Sequence, residues 1–171
     1  MVKNGARLWL WLGGVALAVA LVAASMVVWW PARPEKAAIP PSRTRDFAAF
    51  EACLLTGANG LAEPGVADVW AGMRDVSDAT SIRISFLAAS GPATTAGILP
   101  YLNALIQRGC GVIVAVGGPE VAAARAGAAK APAMSFVLVG DGEARTNATV
   151  VPAGDGVRAG IGAAIRARVR S

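Results

Sequence analysis

The sequence predicts an α/β domain with a doubly wound, mostly parallel five-stranded sheet, preceded by one transmembrane helix. Three observations lead to this fold class. Short apolar runs alternate with segments of helical spacing from residue 47 to the end of the 171-residue chain. Run 112–116 is apolar on both faces, as a central parallel strand must be. An uncharged run, 8–30, is long enough to cross a bilayer. Repeated strand–helix units favour a parallel sheet with helices on both faces.

Five strands are expected in the domain, at 50–56, 81–87, 112–116, 136–139 and 149–151. Segment 81–87 alternates apolar and polar residues, which places it at a sheet edge. Four helices are expected between and after the strands. Pro64 opens the first helix, and Gly109 ends the second, in which Pro100 is tolerable only near the first turn. The third runs from Pro119 to about residue 131, and the fourth spans 156–170.

The N-terminal part is predicted to anchor the domain to a membrane. Residues 1–7 form a short tail, 8–30 the span, 31–46 a proline-rich tether, and 47–171 the folded lobe. Four of the five tryptophans lie at the two ends of the span, as in an aromatic belt. A cleaved signal peptide is the alternative, since small residues at 22–24 precede Ser25. The apolar run continues to Trp30, which favours a retained anchor.

The distribution of charge indicates a membrane flank, and we expect no nucleic-acid partner. The formal net charge is +5, but residues 1–46 hold six basic and two acidic side chains, whereas 47–171 hold ten and nine. The basic residues after the span would, by count, hold the domain on the cytoplasmic side. Orientation therefore depends on the cysteines and on the family resemblance described below.

Composition argues against most enzyme chemistry. The chain has no histidine and two cysteines, which excludes a Ser-His-Asp triad, a histidine-ligated zinc and a four-thiolate metal site. It carries no phosphate-binding glycine loop ending in Lys-Ser/Thr, and Gly160-Ile161-Gly162 falls inside a predicted helix. A serine nucleophile would need a lysine base, and Lys130 is the only lysine of the lobe. We expect no enzymatic activity, no cofactor and no metal.

The candidate site lies beyond the carboxyl ends of the strands, where ligands bind to open parallel sheets. The residues expected to meet a ligand there are Thr56, Asn59, Ser90, Gly117, Gly118 and Asp141. Asp141 is the only carboxylate clearly at a strand end, and it could accept hydrogen bonds from sugar hydroxyls. It could equally be an ordinary turn residue in Gly140-Asp141-Gly142.

Three stretches resemble the basic membrane protein family, which comprises substrate-binding components of ABC transporters related to purine-nucleoside-binding lipoproteins. They are Arg-Gly-Cys-Gly-Val at 108–112 leading into 116–117, Ser-Phe-Val-Leu-Val-Gly-Asp at 135–141, and Trp-Ala-Gly at 70–72. The resemblance covers about residues 50–155. It implies one lobe of a type I periplasmic-binding-protein fold.

The sequence also departs from this family's pattern. The family shows Thr-Asp after the first strand and further acidic and aromatic residues before the first helix, but here Gly57 follows Thr56. Loop 61–65 has no aromatic residue, and only Glu63 is charged. Family members also have two lobes. Nucleoside binding is therefore expected to be weak or lost.

These observations predict a membrane-anchored, extracytoplasmic domain similar to ABC-transporter substrate-binding proteins, with a single span and its C-terminal domain outside the cytoplasm. Besides the membrane, its partners would be a small solute, an ABC permease or a second copy of itself. The alternative is a protein-interaction or regulatory α/β domain on a signal anchor. A small histidine-free enzyme is a weaker possibility.

Cys53 and Cys110 are candidates for a disulfide. Cys53 lies in the first predicted strand and Cys110 just before the third, and these strands are neighbours in the 2-1-3-4-5 order common for such sheets. An oxidising compartment would let them pair. The alternative is two buried thiols, because Cys110 precedes its strand whereas Cys53 lies inside its own.

Overall fold

Five parallel strands in the order β2-β1-β3-β4-β5 form the centre of the protein. The computed structural model describes residues 48–170. The strands are β1 (Glu51–Thr56), β2 (Arg83–Ala88), β3 (Val112–Ala115), β4 (Ser135–Val139) and β5 (Ala148–Val151). The helices are α1 (Val66–Thr80), α2 (Thr95–Arg108), α3 (Gly118–Lys130) and α4 (Val157–Val169). The α/β class and the five-stranded parallel sheet agree with the sequence prediction.

Helices cover both faces of the sheet because strand side chains alternate between two cores. On one face, Ala52 and Leu54 of β1 join the apolar sides of α1 and α4. On the other face, Cys53 and Leu55 join α2 and α3. The four residues of β3 are all buried, as expected for a central strand. β2 lies at the edge and carries partly exposed residues, which confirms the interpretation of its alternating pattern.

The strand order reverses between β1 and β3, and this fixes the position of the site. β1 pairs with β2 on one side and with β3 on the other, with Leu55 opposite Ala115. β1 leads to α1, on one face, while β3 leads to α3, on the opposite face. The loops that leave these two strands therefore separate at the carboxyl end of the sheet, which opens space for a ligand.

Pro100 lies near the start of α2. The helix begins at Thr95, so Pro100 is its sixth residue and falls in the second turn. Proline there leaves the carbonyl of Ala96 without its helical donor. Both Ala96 and Pro100 are exposed, so water can supply the missing hydrogen bond.

A disulfide joins Cys53 of β1 to Cys110 in the loop between α2 and β3. Their Cα atoms are 6.0 Å apart, and both residues are buried. Cys110 comes before β3, and its N–H donates to the carbonyl of Leu105 at 3.4 Å. This places it on the sheet face to which Cys53 points. The position of Cys110 outside its strand argued against pairing. In the structure this position lets Cys110 reach Cys53 diagonally.

The predicted tail, span and tether lie outside the described residues. Within 48–170, none of the helices has both the length and the apolar character that crossing a bilayer requires.

Candidate functional site

A cavity of about 970 Å³ opens at the carboxyl ends of β3, β4 and β5. Its volume is at the upper end of the range found for small-molecule sites. The wall combines small and aliphatic residues with five charged side chains. The charged residues are Asp68, Arg125, Asp141, Arg145 and Asp155.

Three helices begin beside this cavity, each from a glycine that provides no side-chain cap. Gly65 precedes α1, Gly117 precedes α3 and Gly156 precedes α4. In contrast, α2 does not border the cavity and begins at Thr94, whose side chain accepts a hydrogen bond from the N–H of Gly97 at 3.1 Å. Two of the first N–H groups are satisfied by the backbone: that of Val66 donates to the carbonyl of Glu63 at 3.2 Å, and that of Val157 donates to the carbonyl of Gly154 at 3.0 Å.

A carboxylate accompanies each of these three helix starts. Asp68 is the third residue of α1, Glu120 is the third residue of α3, and Asp155 precedes the N-cap of α4. Carboxylates are stabilised there because the helix dipole places partial positive charge at the N-terminus. Each helix end is thereby provided with negative charge from the chain itself.

Glu120 is the most buried charged side chain at the rim, with 4% of its surface exposed. Its Oε2 occupies the space that a Cβ on Gly117 would fill, and Gly117 is part of the cavity wall. Gly117 also has φ of +108°, a conformation that glycine adopts more readily than other residues. Within residues 48–170, the buried side-chain polar atom that lacks a hydrogen-bond partner belongs to Arg125 and not to Glu120.

Arg125 contributes a positive charge to the cavity wall. It projects from α3, and its Nη2 donates to the carbonyl of Asp141 at 3.1 Å. The guanidinium also fills the space beside Gly142, where a Cβ would overlap it. Its Nε is buried and, among the described residues, has no hydrogen-bond partner. Arg125 therefore holds the loop after β4 and keeps one buried donor unused.

Three of the residues predicted from the sequence line the cavity, namely Gly117, Gly118 and Asp141. The other three, Thr56 at the end of β1, Asn59 after β1 and Ser90 after β2, do not belong to its wall.

Each of those three makes a local contact. The Oγ1 of Thr56, which is buried, donates to the carbonyl of Gly57 at 3.2 Å. The backbone N–H of Asn59 donates to Oε2 of Glu63 at 3.3 Å. The carbonyl of Ser90 accepts the hydroxyl of Tyr101 at 2.6 Å. These contacts organise the loops after β1 and β2.

Sequence reasoning missed several charged residues of this rim. Asp141 lies just after β4, but Asp68 and Asp155, which stand at helix starts, also line the cavity, and Glu120 lies beside Gly117. One signal was available in Gly117-Gly118-Pro119-Glu120, where a strand is followed by a helix with an acidic residue in its first turn. Arg125 sits one turn further along α3, and its role depends on the loop after β4.

A smaller cavity of about 330 Å³ lies between α1 and α4. Arg158 donates from Nε and Nη2 to the two carboxylate oxygens of Asp75, at 2.7 and 2.9 Å. These hydrogen bonds lower the pKa of Asp75 and raise that of Arg158. Because the two side chains satisfy each other's hydrogen bonds, the pair links α1 and α4 and leaves few polar groups for a ligand. No group of three or more potential metal ligands exists within residues 48–170.

Comparison with known proteins shows the fold alone. No protein-family model and no curated protein matches the sequence. A crystal structure of a fragment from Peptoclostridium difficile 630, provisionally named a lipoprotein, superposes with a TM-score of 0.61 at 13% sequence identity. The match covers 70% of this chain and 98% of that one. The two chains thus share an α/β architecture across nearly the whole of the solved fragment.

Proposed function

We propose that the protein is a membrane-anchored, extracytoplasmic domain of the solute-binding type, which binds a small polar solute in the cavity at the carboxyl end of its sheet. The observation that carries this proposal is the cavity itself. It lies beside the reversal of strand order, where parallel α/β sheets bind ligands, and its wall combines aliphatic residues with a few charged ones. The domain is then one lobe of a type I periplasmic-binding-protein fold.

The buried disulfide supports a location outside the cytoplasm. Cys53 and Cys110 are buried in one core and joined to each other. Structural disulfides form and persist in oxidising compartments and are rare in the bacterial cytosol. The crystal structure that shares this fold carries the name of a lipoprotein, which is a membrane-attached class of protein. Both observations favour an extracytoplasmic domain, and the uncharged run 8–30 supplies an anchor.

The purine nucleosides bound by the resembled family fit this cavity poorly. Among residues 48–170, no aromatic ring on which a base could stack lines the cavity. Base stacking contributes about 1–3 kcal/mol in other base-binding proteins. A solute without a large aromatic ring is therefore favoured, and an ABC permease or a second copy of the chain is a suitable partner for covering the open side.

Blocking the cavity tests the proposal. Ala126 is exposed on α3 and lines the cavity, so Ala126→Trp should fill the site without entering the core. Ala79→Trp, at an exposed position of α1 away from the cavity wall, is the matched control. The full chain in detergent is mixed with amino acids, amines, sugars and nucleosides, and binding is followed by saturation-transfer NMR.

At least one component should give a signal that Ala126→Trp removes and Ala79→Trp retains. If no component behaves in this way, the cavity does not bind small solutes and the proposal fails.

A further inference from the structure

We propose that the solute carries a carboxylate, which binds the guanidinium group of Arg125 in the cavity wall. This inference rests on the proposed function and adds the chemical class of the ligand. Its basis is a hydrogen-bond donor of Arg125 that is buried and has no partner among residues 48–170. A second arginine of the same wall, Arg145, adds positive charge.

The donors on one edge of the Arg125 guanidinium group are only half used. Nη2 donates to the carbonyl of Asp141 at 3.1 Å, whereas the adjacent Nε is buried and has no partner within 48–170. A buried donor without a partner costs free energy, because it has lost its hydrogen bonds to water. An acceptor that reaches this edge of Arg125 would supply the missing hydrogen bond.

Another arginine of the same chain shows what this edge binds when both donors are used. Arg158 donates from Nε and Nη2 to the two carboxylate oxygens of Asp75, at 2.7 and 2.9 Å. Arginine favours such two-point binding because its planar group of donors matches the geometry of a carboxylate. Arg125 carries the same pair of donor atoms in the cavity wall, so a carboxylate of a solute would bind it in the same way.

The carboxylates of the chain do not supply this partner. Asp68, Asp141 and Asp155 line the cavity, but within residues 48–170 none of them forms an ion pair with Arg125. All three are exposed, and at physiological salt the field of exposed charges is screened over about 8 Å. Arg125 is half-buried, which strengthens its attraction for an anion because less water lies between the charges.

A carboxylate reaches the buried Nε by taking the place of the Asp141 carbonyl. The loop after β4 has to move for this exchange, because that carbonyl lies at the same edge of Arg125. Gly140 and Gly142 flank Asp141, and both have positive φ. Glycine has access to more backbone conformations than other residues, so the loop can follow the exchange. Binding of the solute is therefore coupled to a movement of this loop.

Three probes of similar length and different charge test the inference. They are glutarate, pentane-1,5-diol and 1,5-diaminopentane, each titrated calorimetrically into the full chain in detergent at neutral pH and physiological salt. Glutarate should bind more tightly than the diamine and about tenfold more tightly than the diol, because hydrogen bonds between charged groups are stronger. Equal or tighter binding of the diol or of the diamine would overturn the inference.

Arg125→Lys keeps the positive charge and removes the paired donors of the guanidinium group. It should weaken glutarate binding about tenfold, because a lysine cannot bind both carboxylate oxygens in this geometry. Arg74→Lys, at an exposed position of α1 outside the cavity wall, is the matched control and should leave the affinity unchanged. Equal effects of the two variants would overturn the role of Arg125. Far-UV circular dichroism checks that both variants fold.

The side-chain Nε–H signal of Arg125 gives a second readout, which requires no variant. NMR spectra of the isotope-labelled full chain in detergent are recorded during titration with glutarate. The hydrogen bond to the carboxylate should shift the Nε–H signal of Arg125 and leave that of Arg74 unchanged. Binding of glutarate without a shift at Arg125 would overturn the inference.

The outcomes separate this inference from the proposed function. If the diol or the diamine binds best and Ala126→Trp abolishes that binding, the cavity is a solute site and the carboxylate class is wrong. If glutarate does not bind while the solute mixture gives a signal sensitive to Ala126→Trp, the carboxylate class is again wrong. If neither experiment detects binding, both proposals fail.

Discussion

Breaking the disulfide between Cys53 and Cys110 should remove a large part of the stability of the domain. The bond joins residues separated by 57 positions, and it restricts the unfolded chain far more than the folded one. The chain-entropy relation gives about 4 kcal/mol for a loop of this length. Since domains of this size are stable by about 5–15 kcal/mol in total, a loss of this magnitude is readily measured.

Urea unfolding of the full chain, followed by circular dichroism with and without reductant, measures this effect. Urea lowers the stability of small domains by about 1–3 kcal/mol per molar, so the midpoint should fall by roughly 2 M on reduction. The double variant Cys53→Ala/Cys110→Ala should unfold near the reduced midpoint and should not respond to reductant. Identical midpoints for the oxidised and reduced chain, or two free thiols in the unreduced, denatured protein, would refute the reasoning.

Four further predictions concern helix packing, pH, topology and ligand choice. Gly72→Ala should destabilise the domain by about 1–3 kcal/mol in urea, because its Cβ would lie 2.5 Å from the carbonyl oxygen of Arg158; an unchanged midpoint would contradict this. Arg158 lowers the pKa of Asp75, so the pair stabilises the fold above the unfolded-state pKa and ceases to do so as pH falls through the folded-state value. Asp75→Asn should therefore reduce the acid sensitivity of thermal unfolding, and an identical acid slope would argue against the pair. Alkaline phosphatase fused after Ser171 should be active outside the cytoplasm, whereas activity of a cytoplasmic reporter alone would reject export. Adenosine, guanosine and inosine should bind the full chain more weakly than about 1 µM in calorimetry, and tighter binding would show that the site accepts bases.

Local sequence patterns were sufficient to predict the sheet. A strand buried on both faces is apolar throughout, whereas a strand buried on one face alternates apolar and polar residues. Run 112–116 is apolar throughout, and run 81–87 alternates, which separates a central strand from an edge strand. The expected strand order also made Cys53 and Cys110 candidates for a disulfide. The geometry of the pairing could not be predicted, because the position of Cys110 depends on how the chain passes from α2 to β3.

The chemistry of the cavity was harder to predict because it arises between segments distant in the sequence. Asp68, Glu120 and Asp155 belong to three different helix starts, and they come together only once the sheet has formed. The same holds for Arg125, whose contact is the carbonyl of Asp141, 16 residues away.

The most direct test of the central claim, that the cavity binds a solute, locates the bound probe on the protein. Glycine amides are suitable reporters, since Gly117, Gly118, Gly140 and Gly154 line the cavity while Gly109 and Gly127 do not. Amide NMR spectra of the isotope-labelled full chain are recorded during titration with 1,5-diaminopentane, pentane-1,5-diol and glutarate in turn. We predict that at least one probe shifts the four cavity amides and leaves Gly109 and Gly127 unchanged. Shifts at Gly109 or Gly127 without shifts in the cavity, or no shifts with any probe, would contradict the account.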